Sequence, residues 1–201
     1  MEINCIDKLC ELLKELTMGM RVVTCGNSAG GYIAVIVGQY LQAECIYSFG
    51  GQFTLEHLFR ESEDDLAESY YYVEYYKDNK KINKYYNLLE ILQKNKVPIM
   101  FFYSALCEGD CEQFEVLNKA KSSNNFCFAM KSKQHGHLML NKCYQRVLST
   151  DLVKLLKLCE HYKGKMISFW SWCLHLLEWN EAIMEIVKDV ICKIKSVFYR
   201  R

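Results

Sequence analysis

Residues 22–31, Val-Val-Thr-Cys-Gly-Asn-Ser-Ala-Gly-Gly, constrain this chain more than any other stretch. A short apolar run ends at Gly26-Asn27-Ser28-Ala29-Gly30, and a helix-compatible segment, Gly31 to Val37, follows at once. A strand that breaks into a tight turn and continues as a helix is the setting in which a G-x-S-x-G pattern has chemical meaning. The serine at the tip of such a turn projects its Oγ above the sheet edge. Glycines two residues before and after it leave room where side chains would meet the strand and the helix. The helix N-terminus aims free N–H groups at the same point. Ser28 is therefore the candidate nucleophile and the Ala29 N–H the candidate oxyanion donor. The plain alternative is a serine in an ordinary turn.

A nucleophilic serine needs a base, and the base needs a group that orients it. Val97 to Tyr103 is an apolar run of strand length, followed by a loop, Ser104 to Asp110, that holds two carboxylates. Asn125 to Met130 is the next apolar run, followed by Lys131-Ser132-Lys133-Gln134-His135-Gly136-His137. Asp110 and the loop histidines thus fall past strand ends, where a parallel sheet places its active site. Asp110 is the candidate acid, with Glu108 as competitor; its structural role would be to cap a helix starting near Glu112. His57, His161 and His175 lie on helical patterns and read as surface or interface residues. Two loop histidines beside an aspartate lack a third ligand at the usual spacing, so no metal is expected.

Further motifs accompany the Gly26 to Tyr32 elbow. A turn, Phe49-Gly50-Gly51-Gln52, follows the second apolar run, and a tyrosine-rich Lys84-Tyr85-Tyr86-Asn87-Leu88 precedes the third. An Asp-x-x-Gln pair, Asp110 and Gln113, follows that run, and His135-Gly136 closes the pattern. On these residues the chain resembles the α/β-hydrolase superfamily. Within it, the chain is similar to small bacterial hydrolase-like proteins found with surface-polysaccharide genes, although Gly51 stands where those proteins usually have proline. The resemblance spans roughly residues 20–160. It implies an α/β fold, a three-layer sandwich around a mostly parallel sheet, with the serine, acid and histidine in the order Ser28, Asp110, His135. It favours His135 over His137 because a glycine follows it. It implies Asn27 and Gln52 as substrate-binding residues, a small ester or acylated sugar as substrate, and no cofactor. The same triad would serve acyl transfer. The alternative is a non-catalytic hydrolase-like interaction protein in surface-polysaccharide assembly, or a gene fragment.

Composition fits one soluble domain with ample core: 201 residues, 51% of them apolar, with a net charge of +1. That charge gives no electrostatic reason to expect nucleic acid. Of the eleven cysteines, Cys5, Cys10, Cys25, Cys45, Cys127, Cys159 and Cys192 lie in apolar strand or helix patterns, where they act as small hydrophobes. Their odd number and an N-terminus without a secretory pattern point to free thiols in a reducing, cytoplasmic setting. Cys107 and Cys111 flank Asp110 without a second cysteine pair, which argues against zinc.

Alternating helix and strand signals divide the chain into a hydrolase-like domain, 1–164, and an amphipathic helical extension, 165–201, with a cap-like insertion over 53–95. Helices are expected over 3–16, from the elbow to about 41, over 112–121 and over 141–160. Several strands precede the elbow in the superfamily, whereas 25 residues precede Gly26 here. The expectation is a truncated sheet, without its first strands or the loop that gives the second oxyanion donor. The first strand would then be a hydrophobic edge open to association. In the extension, Ile183, Ile186, Val187, Val190, Ile191 and Ile194 form an apolar face. That face is expected to cover the bare sheet or to meet a second copy. A membrane surface or another partner is the alternative.

Overall fold

The computed structural model describes residues 5–55, 84–94, 96–120, 127–132, 141–168, 183 and 187. The elements alternate as expected for an α/β sandwich. They are α1 (Ile6–Leu16), β1 (Val23–Asn27), α2 (Ala29–Tyr40), β2 (Cys45–Phe49), α3 (Leu89–Lys94), β3 (Ile99–Ser104), α4 (Glu108–Ala120), β4 (Cys127–Ser132), α5 (Asn141–Ser149), α6 (Leu152–Tyr162) and β5 (Ile167–Ser168). The five strands form one sheet in the order β1-β2-β3-β4-β5, and every pairing is parallel. All strands therefore end on the same side, which is where the elbow and the loop after β3 lie.

Alternation along the strands explains the layers. Ile46, Ile99, Phe101 and Tyr103 face one core with Tyr32, Val35 and Ile36 of α2, Cys10 of α1, Leu92 of α3 and Leu117 of α4. Cys45, Tyr47, Phe49, Met100 and Phe102 face the other core with Val147 of α5 and Leu155, Leu158 and Cys159 of α6. β2 and β3 are buried along their whole lengths, as strands covered on both faces must be. The result is helices, sheet, helices: the three-layer architecture that the resemblance implied.

Several boundaries differ from expectation. α4 starts at Glu108, so Asp110 lies in its first turn and is not the residue capping it. The segment expected as one helix over 141–160 is two, α5 and α6, separated at Thr150-Asp151. Asp151 accepts from the Lys154 N–H at 2.9 Å, and that cap starts α6. The strand Ile167–Ser168 joins the sheet beside β4, so the first residues of the extension belong to the sheet. They sit at the edge opposite β1. Ile183 and Val187, the two residues of the expected apolar face that are described, are 55% and 44% exposed. They do not lie in the core.

At the described ends of the 53–95 insertion, Phe53, Tyr85, Leu88 and Leu92 pack in the core. Leu55 N–H donates to Tyr86 O at 3.0 Å and Leu88 N–H to Phe53 O at 2.7 Å around an antiparallel Thr54–Asn87 bridge. Phe53, Leu88 and Leu92 are fully buried. Tyr85 is buried as well; its OH donates to Asp7 on α1, and its carbonyl accepts from Tyr32 OH on α2 at 2.7 Å. This tyrosine thus ties the insertion to the two helices beside it. The other insertion tyrosines between 70 and 76 lie outside the described residues.

Candidate active site

The turn after β1 has the geometry its sequence suggests. Ser28 is a non-glycine residue at φ 53°, ψ −121°. An L-residue at such a φ carries strain of about 1–3 kcal/mol. Two backbone bonds hold it there: Ser28 N–H donates to Phe49 O at 2.8 Å, and Tyr32 N–H donates to Ser28 O at 3.1 Å. The first ties the elbow to the end of β2, and the second starts α2. Ala29 follows as the first residue of α2 and is exposed, so its N–H stands at the helix N-terminus beside Ser28.

Close approach, not turn conformation, explains the glycines here. A Cβ at Gly26 would overlap the backbone of Gly30 and Gly31. A Cβ at Gly31 would lie 2.8 Å from Gly51 Cα and 2.9 Å from Ser48 Oγ. At Gly30, the second glycine of the motif, a Cβ would meet nothing within 4 Å. The room needed after the serine is therefore at Gly31. Gly51 presses against Ser48 and Gly31 from the other side, and a Cβ there would overlap Ser48 Oγ. That contact explains why glycine stands at position 51. Ser48 Oγ donates to Gly31 O at 3.3 Å, within the same contact.

Asp110 sits two strands from Ser28, across β2, on the same side of the sheet. Adjacent strands lie about 4.8 Å apart, so the ends of β1 and β3 are about 10 Å apart. Asp110 is 2% exposed, and its Oδ2 accepts from Ser104 N–H at 2.9 Å. Ser104, the last residue of β3, also takes Leu106 N–H on its Oγ and Cys107 N–H on its carbonyl. The turn is thereby fixed, and the carboxylate with it. Glu108, the competitor, is exposed. Burial and a fixed partner distinguish Asp110 from it.

His135 and His137 lie outside the described residues, as does the loop that carries them. β4 ends at Ser132, which pairs with Ser104 at the end of β3. Asn27 ends β1 and Gln52 follows Gly51; both are half-buried at this end of the sheet. Gln113, three residues after Asp110, is a residue the sequence did not assign. Its Oε1 accepts from Phe53 N–H at 2.6 Å and Thr54 N–H at 3.0 Å, and its Nε2 donates to Thr54 O at 3.2 Å. It clamps the segment that follows Gln52 onto α4. The only sequence signal was the Asp-x-x-Gln spacing, which puts both side chains on one face of α4. Beside them, Tyr103 is pushed up to about 12, chiefly by burial. No group of three metal-ligating side chains occurs among the described residues, and no described helix is long and apolar enough to cross a membrane.

No protein-family model matches the sequence, and no sequence match to a curated protein was found. Solved structures do match. A puromycin hydrolase mutant aligns over 80% of this chain and 25% of its own, with a TM-score of 0.52 and 16% identity. An α/β-hydrolase enzyme from the metagenome of lagoon sediments at Mar Chica, Morocco, aligns over 72% of this chain and 68% of its own, with a TM-score of 0.47 and 17% identity. An acylaminoacyl peptidase from Pyrococcus horikoshii aligns over 78% of this chain and 26% of its own, with a TM-score of 0.46 and 18% identity. The chain thus spans about a quarter of the length of two of these enzymes. At this level of identity the likeness is one of fold: the chain has an α/β-hydrolase fold.

Proposed function

We propose that this protein is a serine acyl hydrolase acting on a small ester or an acylated sugar. The observation that carries the reading is Ser28 held at positive φ between the end of a parallel strand and the N-terminus of a helix. Residues held in sparsely populated backbone regions cluster at active sites, and a strand–turn–helix with serine at its tip is the setting of a nucleophile elbow. In the reaction, Ser28 Oγ attacks the acyl carbonyl while His135 takes its proton. The Ala29 N–H binds the oxyanion. His135 returns the proton to the leaving alcohol, and water then releases the acyl group by the same route. Asp110 holds the imidazole tautomer. Asn27 and Gln52 contact the acyl or sugar group. A surface-polysaccharide substrate follows only from the resemblance in the motifs.

A fluorophosphonate probe tests the reading, because it labels only activated serines. The full-length protein is expected to be labelled at Ser28, with labelling abolished in Ser28→Ala and reduced in His135→Ala and Asp110→Asn. An unlabelled wild type would favour the non-catalytic reading. Labelling that survives in Ser28→Ala would remove Ser28 as the nucleophile.

A further inference from the structure

On the face of the sheet away from α2, Cys45 of β2 and Cys159 of α6 meet. They are 114 residues apart in sequence, and their sulfurs are 3.0 Å apart, with the Cys45 S–H donating to Cys159 Sγ. Both are buried, at 0% and 4% exposure. A disulfide needs an S–S distance of about 2.05 Å, so closing this one requires the sulfurs to approach by about 1 Å. We propose that Cys45 and Cys159 are a modification site, a dithiol that closes into an intramolecular disulfide joining β2 to α6.

The oxidant is a small peroxide. Cys159 Sγ reacts first, as the thiolate. It attacks one peroxide oxygen; the O–O bond breaks and hydroxide leaves, to be protonated to water. The resulting sulfenic acid is attacked by Cys45 as a thiolate, the S–O bond breaks, and a second hydroxide leaves as water. The two thiols lose two electrons and two protons, and the peroxide becomes two waters. Burial pushes the Cys45 thiol well up and keeps the pair from bulk solvent, so closure is slow in the docked state. It is faster when α6 lifts. Tyr47 OH donates to Leu155 O at 2.7 Å and is one of the contacts that hold α6 on the sheet, beside the packing of Leu155, Leu158 and Tyr162. Cys45 starts β2, at the end of the strand away from Ser28, so the cross-link leaves the elbow unchanged.

The test uses the full-length protein treated with hydrogen peroxide, then alkylated in denaturant, digested and analysed by mass spectrometry. The expected product is a peptide pair linked through Cys45 and Cys159, reversible by dithiothreitol and formed several-fold faster in Tyr47→Phe. The closed loop is long, so Tm is expected to rise by about 5–10 °C on oxidation. That rise should be absent in Cys159→Ala and in Cys45→Ala; either variant serves if the other fails to fold. Both cysteines recovered fully alkylated after peroxide, in wild type and in Tyr47→Phe alike, would overturn the proposal. So would linkage of either to a different cysteine.

Discussion

Gln113→Met is the sharpest test of how the candidate site is held. Methionine fills nearly the same volume as glutamine, so the substitution removes hydrogen bonds with little change in packing. Gln113 is 2% exposed and closes three bonds on the segment after Gln52: two backbone N–H groups on its Oε1 and one carbonyl on its Nε2. Phe53 and Thr54 are themselves buried, so water does not readily replace the lost partner. A buried donor left unpaired costs about 1–3 kcal/mol. Two such donors make the expected loss about 2–5 kcal/mol, a large share of the roughly 5–15 kcal/mol that stabilises an ordinary domain.

Urea unfolding followed by circular dichroism measures it. With a slope of about 2–3 kcal/mol/M for a chain of this size, the midpoint is expected to fall by about 1–2 M with little change in slope. Gln113→Ala should lose more, because it adds a cavity to the same unpaired donors. A Gln113→Met unfolding free energy within about 0.5 kcal/mol of wild type would refute the reasoning. It would mean that the Phe53–Thr54 backbone is satisfied without Gln113.

Two further predictions follow from close approach and from charge. Gly30→Ala is expected to stabilise the protein by about 0.5–1 kcal/mol, since the site is open and helical. Gly31→Ala should cost at least about 1–3 kcal/mol and reduce labelling of Ser28, because its Cβ meets backbone at Gly51; thermal unfolding of the two variants side by side checks the asymmetry, and equal effects would refute it. Lys84, first, and Tyr85, second, hold the Asp7 carboxyl below its ordinary value of 3.8 through hydrogen bonds. Its folded value is thus lower than its unfolded one, so this contact stabilises the fold above the unfolded value and is lost as pH falls through the folded one. The pair is about half exposed, so the effect is small. An NMR titration should place Asp7 below 3.8 in wild type and show a shallower acid loss of stability in Asp7→Asn; an Asp7 value at or above 3.8 would refute the assignment.

What could be read from the sequence was the information each segment carries locally. The elbow was legible from its strand, turn and helix, while the three-layer sandwich came from the resemblance. Features decided by distant partners were not legible. β5 is two residues long inside an aromatic run, and only the edge of β4 makes it a strand. α4 starts at Glu108 and not near 112, because the turn before it is fixed by Ser104, whose amide, hydroxyl and carbonyl are all engaged. The motif assigned its second spacing glycine to Gly30, yet the contact that needs it is made by Gly31 against Gly51, twenty residues away. The apolar face at 183–194 showed that a surface wants cover and not which surface, and Ile183 and Val187 remain exposed. The same distinction applies to the site. Ser28 is specified by its own turn, so its strained geometry was predictable. Asp110 depends on β3 ending where Ser104 can bind its carboxylate, and the segment after Gln52 depends on Gln113 from another helix. Substitutions at Gln113 or Ser104, far from the scissile bond, should therefore lower reactivity at Ser28 while leaving its own backbone turn intact.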